Sequence, residues 1–244
     1  MVQTQLLGQE IAVWRADAGS VNAWENRCPH RGVRLSIGFN TGTELRCQYH
    51  GWRYAAGSGQ CTFIPAHPTQ KPSSAIRTNV YGSIEQNGFV WVHLGPQPQA
   101  PALPTLPTPG TLQATTLRSI FVEAPPSDVA EALLRGYRFG EDPMSDASMV
   151  AHDQFILTAT ADSSGRNAAV TFLLQPMTES QTVIHGIAHA MGPAVDARGE
   201  AVAEMLTKRI ALLRHHNSQM TAFRDAVEGA RRANSGKPVA AQYP

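Results

Sequence analysis

The sequence predicts an α+β protein in which an all-β module is followed by an antiparallel sheet and a long C-terminal helix. Three observations predict it. Short apolar segments broken by Gly, Asn and Ser fill the first 95 residues. A proline-rich run comes next, and beyond it Val-, Ile-, Thr- and Phe-rich segments precede one long stretch of helical periodicity. The 244 residues, 42% of them hydrophobic, suffice for two modest domains or one large one with a substantial core.

Taken in order, IAVW, VNAWEN, LRCQYHGW and FVWVHLG are the strand candidates of the first module, residues 1–95. GPQPQAPALPTLPTPG then carries six prolines, which favour extended polyproline II backbone and supply no ladder donors, so 96–110 is expected to be a linker. The second domain is expected at 111–244. Within it TLRSIFVEA, FILTATA, AAVTFLLQP and TVIHGIAHAM read as strands, broken by SSGRN and MTES. SDVAEALLRGYRFG between the first two predicts a short helix capped by Ser127 and ended by Gly136 and Gly140. From about 200 to 232, Leu206, Ile210, Leu213, Met220, Phe223 and Val227 recur three and four apart, the stripe of an amphipathic helix laid on the sheet. The tail NSGKPVAAQYP is expected to fray.

Charge and cysteine content narrow the function. Twenty basic residues against nineteen acidic ones give a formal charge of +1, with no net electrostatic case for nucleic acid or an anionic membrane. Three cysteines are too few for a disulfide framework, so a reducing, cytoplasmic setting is expected. The start MVQTQLLGQEIAVW lacks a basic region followed by an apolar run, and no segment approaches eighteen apolar residues; neither export nor membrane insertion is expected.

The chemistry concentrates in two short motifs. Cys28-Pro29-His30 and Cys47-Gln48-Tyr49-His50 are ligand pairs of the forms C-x-H and C-x-x-H, sixteen residues apart, each able to be offered by one tight loop. Two thiolates and two imidazoles suit the two irons of a [2Fe-2S] cluster, where replacing anionic sulfur by neutral nitrogen raises the reduction potential. Cys2His2 is also a tetrahedral zinc set, although zinc fingers pair Cys with Cys and His with His. CPHRG followed by CQYHGW resembles the Rieske domain of the Rieske non-haem iron oxygenases, the ring-hydroxylating and demethylating α-subunit family. The resemblance extends through VNAWENRCPHRG, YAAGSGQC and EQNGFVWVHLG and covers most of residues 8–95. It implies that Cys28 and Cys47 bind the inner iron and His30 and His50 the exposed one. It also implies a shortened, helix-grip-like catalytic domain, an electron-donating reductase or ferredoxin, and a small organic substrate. A partner oxygenase subunit or a homo-oligomer fits the same resemblance. Cys61 reads as a buried small apolar residue. Trp52 either shields the cluster or is an ordinary core aromatic, and Arg31 and Arg34 either receive a partner's carboxylates or are solvated.

The resemblance further implies a mononuclear iron held by two histidines and a carboxylate in the second domain. The family pattern D-x2-H-x4-H is absent from this sequence; DPMSDASMVAHDQF keeps only His152, which reads as a surface or hydrogen-bonded residue. His185 and His189 fall on one face of a strand, roughly 13 Å apart at about 3.3 Å per residue, and read as sheet residues. On the long helix His216 falls in the apolar stripe and His215 is expected to be exposed. Three functions follow as expectations: an oxygenase component, an electron-transfer or auxiliary subunit of ferredoxin type without its own mononuclear iron, and a small-molecule binder.

Overall fold

A computed structural model describes residues 1–95, 106, 113–137, 147–163, 166–190 and 200–235, with side-chain detail lacking at 113–114, 147–148, 161–168, 190, 200–215 and 234–235. The chain divides into two compact units, Met1–Pro104 and Thr105–Pro244. Of the proline-rich run, only Gly95 and Leu106 are among the described residues, and the tail from 236 onward lies outside them.

The first unit is built from β1 (Val2–Leu6), β2 (Gln9–Arg15), β3 (Val21–Glu25), β4 (Phe39–Asn40), β5 (Glu44–Arg46), β6 (Arg53–Ala55), β7 (Cys61–Phe63), β8 (Val80–Gln86) and β9 (Phe89–His93). Two antiparallel sheets result, one in the order β1-β2-β3-β8-β9 and one in the order β4-β5-β6-β7. Ala12 and Trp14 of β2 project from the same strand face and meet Trp24 of β3, whose ring stands edge-on to Trp14 at 4.9 Å. Leu35, Leu45, Tyr54 and all three cysteines continue this core. LRCQYHGW is a strand only at its start: Leu45 and Arg46 belong to β5, pairing stops there and resumes at Arg53, and Cys47 to Trp52 form a loop between β5 and β6. Within that loop Cys47 turns inward and Trp52 is partly buried, while Tyr49 stays exposed, so the alternation of apolar residues does not mark a buried strand face.

In the second unit β10 (Gln113–Thr116) and β11 (Ile120–Val122) precede α1 (Pro126–Gly136), then β12 (Ala147–Ala151), β13 (Ile156–Ser163), β14 (Arg166–Thr178), β15 (Gln181–Ala190) and α2 (Glu200–Ser235). The antiparallel sheet runs β10-β15-β14-β13-β12, and β11 also pairs with β15. Leu157, Phe172 and Ile184 are buried on the sheet face where Val129 and Leu133 of α1 and Met220 of α2 pack, joined by the partly buried Phe223 and Val227. The second half of the predicted helical stripe therefore faces the core; Leu206, Ile210 and Leu213 lie outside the described side chains. Ser127 does not cap α1. Pro126 opens the helix, where its missing N–H costs nothing, and the Ser127 hydroxyl bonds Asp128 instead. Gly136 ends the helix as expected, Gly140 lies outside the described residues, and β12 is a strand that the sequence pattern did not disclose. No helix among the described residues is long and apolar enough to cross a membrane.

Candidate metal centre

Two loops of equivalent construction carry the four motif residues. The Cys28 N–H donates to the Val33 carbonyl at 2.8 Å and the Cys28 carbonyl accepts from Gly32 N–H at 2.8 Å. Likewise Cys47 N–H donates to the Trp52 carbonyl at 2.8 Å, and the Cys47 carbonyl accepts from Gly51 N–H at 3.1 Å. Closing each loop four residues after its cysteine requires left-handed backbone, which Gly32 (φ +73°) and Gly51 (φ +69°) supply at little steric cost. The Asn26 side chain ties down the first loop by accepting from Ser36 N–H at 2.7 Å.

This construction sorts the donors by depth. Cys28 and Cys47 are each only 3% exposed and belong to the same buried cluster. His30 and His50 sit outward with their Nδ1 atoms 3.1 Å apart. Among the described residues no three His, Cys, Asp or Glu groups converge as they would around a single metal ion. A thiol pair inside and an imidazole pair outside, each from both loops, match a binuclear cluster better than one tetrahedral zinc. Burial, with the Cys28 sulfur adding to it, pushes the Cys47 thiol up, so anionic sulfur at this depth needs a cation beside it. Desolvation, then His50 and Arg31, hold His30 below the usual imidazole value and favour the neutral ring that binds metal. The Tyr54 hydroxyl lies 3.1 Å from Cys28 Sγ; burial first, then the sulfurs, push its pKa far up, so toward a thiolate it acts only as donor. The donor set therefore fits a [2Fe-2S] cluster.

The family model for the Rieske [2Fe-2S] domain matches residues 1–81. Those residues are a Rieske domain. Over 189 residues the chain is 43% identical to the oxidoreductase NdmD of Pseudomonas putida, covering 74% of this chain and 31% of that protein. It is 38% identical over 106 residues to the oxygenase subunit of 3-chlorobenzoate-3,4-dioxygenase from Comamonas testosteroni, covering 43% of this chain and 24% of that one. The chain thus spans about a third or less of these curated relatives. In fold it resembles dicamba monooxygenase, solved with dicamba bound, with a TM-score of 0.74 and 14% identity over 99% of this chain and 87% of that one. The chain is a Rieske-domain protein related to the ring-hydroxylating and demethylating oxygenase families.

Around the Rieske loops several expectations resolve. Trp52 packs against the core, and its ring stacks on His30 at 4.3 Å with ring planes 7° apart. Cys61 is buried and lies 3.8 Å from the Phe63 carbonyl. Arg34 is engaged by Glu10 through two hydrogen bonds of 2.8 and 2.5 Å, whereas Arg31 makes no ion pair among the described residues. Tyr54 and the Gly32/Gly51 equivalence escaped the sequence. Only the glycines left a signal there, each four places after its cysteine.

The described histidines of the second unit have separate surroundings. His152 is hydrogen-bonded to Thr158 at 3.0 Å on an exposed turn. His185 accepts from Ser119 at Nδ1 (2.7 Å) and donates from Nε2 to Gln175 Oε1 (2.8 Å), a neutral tautomer fixed in the sheet. His189 is buried in the same strand, and burial lowers the pKa of both. His216 is buried as expected, 3.2 Å from the Tyr137 hydroxyl, and His215 lies outside the described side chains. Among the described residues no three His, Cys, Asp or Glu groups gather in the second unit.

Proposed function

We propose that Cys28, Cys47, His30 and His50 hold the [2Fe-2S] cluster, cysteines on the inner iron and histidines on the outer, and that the chain carries electrons in a Rieske oxygenase system. Such a system hydroxylates or demethylates a small organic substrate with dioxygen. The observation that carries this is the depth sorting of the donors by two equivalent loops. When bound, the cluster stores and releases one electron, at a potential raised by its neutral imidazole ligands. The protein's part is positional. Cys28 and Cys47 are kept from water, Trp52 fixes the His30 ring, and His50, exposed beside Tyr49, faces a partner. Electrons come from a reductase or ferredoxin, and free cysteines fit a reducing cytoplasmic setting.

A relay without its own mononuclear iron is the second reading. It is favoured by the absent D-x2-H-x4-H pattern and by the 43% identity to a protein named as an oxidoreductase. The active iron would then belong to a partner oxygenase subunit or another copy of the chain. Iron and acid-labile sulfide counts separate the readings: three irons and two sulfides per chain for an oxygenase with its own site, two and two for a relay. A preparation with iron but no sulfide would end both.

A further inference from the structure

Beside the first Rieske loop lies a cavity of about 380 Å³ whose charge the ligand assignment does not use. Arg27, Arg31 and Arg77 line it together with Cys28 and His30 of the first ligand loop. None of the three arginines makes an ion pair among the described residues, whereas Arg15, Arg34 and Arg53 are matched to Glu85, Glu10 and Glu44. The one acid in the lining, Glu25, accepts from the Asn79 amide at 2.6 Å and keeps its charge, so three arginines against one carboxylate leave the lining cationic. Residues 1–95 carry eight Lys and Arg against five Asp and Glu, so the local excess sits on a unit that is cationic as a whole. Next to His50, Tyr49 is 60% exposed and supplies apolar contact surface. The arginines themselves are exposed, which suits steering a large charged surface better than sequestering a small anion.

We propose that this cavity is the docking point of an acidic electron-transfer protein, whose carboxylates engage Arg27, Arg31 and Arg77 and so bring its redox centre to the His30 and His50 edge. The proposal rests on the cluster assignment above. One electron passes: the partner is oxidised by one electron, the cluster is reduced by one, and no bond or proton need move. Arg34, the cation nearest in sequence to the motif that is already neutralised, takes no part.

The test uses the full chain with its cluster and a photoreduced plant-type ferredoxin, a small acidic protein, as donor in stopped flow. At low ionic strength Arg77→Glu should slow the second-order reduction about tenfold and flatten its salt dependence, while Arg77→Lys keeps most of the rate. Arg15→Glu, an equal charge change outside the cavity lining, should leave the rate near wild type. Reduced methyl viologen, a cation, should reduce wild type and Arg77→Glu without the tenfold loss. Equal ferredoxin rates in wild type and Arg77→Glu, or a wild-type rate that does not fall with salt, would overturn the docking proposal with the cluster assignment intact. Loss of the cluster signal in wild type would instead overturn the assignment, and the docking proposal with it.

Discussion

Tyr54→Phe removes one oxygen from a fully buried ring and leaves its packing in place, so its effect isolates the 3.1 Å contact with Cys28 Sγ. A hydrogen bond to a charged group contributes about 1.5–3 kcal/mol. Only the part that strengthens when the cluster gains an electron shifts the potential. If that part is about 1–2 kcal/mol, the conversion of 59 mV per tenfold for one electron gives a fall of roughly 40–90 mV. The sign follows from donation: an O–H aimed at sulfur favours the more negative, reduced state, and its loss lowers the potential. Because burial and the nearby sulfurs push the hydroxyl pKa far up, the offset should stay constant through neutral and mildly alkaline pH. A mediated redox titration followed by EPR, on preparations matched for iron, measures it. An unchanged or raised potential in Tyr54→Phe would refute the reasoning.

Cys47→Ser should abolish the visible and EPR signature of the reduced cluster, and a retained signal would remove Cys47 from the ligand set. Gly51→Ala places a Cβ at φ +69° against Pro65 and should cost about 1–2 kcal/mol of loop stability, read as lower cluster retention during mild chelation. Leu133→Ala, in the fully buried contact between α1 and the sheet, should lower denaturant stability by about 2–5 kcal/mol. Burial lowers the pKa of His185 and His189, so the unfolded chain binds protons that the folded one refuses as pH falls below 6.5. Stability should therefore decline on that side of 6.5, and His189→Leu should reduce the slope of the denaturation midpoint against pH; an unaltered slope would show that His189 does not contribute.

What the sequence disclosed, and what it hid, follows range of interaction. Each ligand pair occupies one short loop, so Cys28, His30, Cys47 and His50 stand out by local spacing alone. β14 and β15 and the second half of the α2 stripe were visible for the same reason, since their apolar periodicity is internal to each element. Contacts made across distance left no such trace. Tyr54 reaches Cys28 over 26 positions, and Arg34 is claimed by Glu10 over 24, which changes Arg34 from a candidate partner contact into a tie between the first loop and β2. Local signals also misled where two physical demands compete. Ser127 is a good cap by type, but Pro126 before it already fixes the first helical turn. LRCQYHGW has strand-like residues, yet beyond Arg46 they serve a loop closed at Gly51, with Cys47 inside and Tyr49 and His50 outside.

Pulsed EPR of the chemically reduced protein tests the central claim most directly, because it reports which atoms touch the unpaired spin. The account predicts a mixed-valence [2Fe-2S] signal with strong hyperfine coupling to two imidazole nitrogens, one of them lost in His50→Cys. A signal with no strongly coupled histidine nitrogen, or both couplings persisting in His50→Cys, would contradict it.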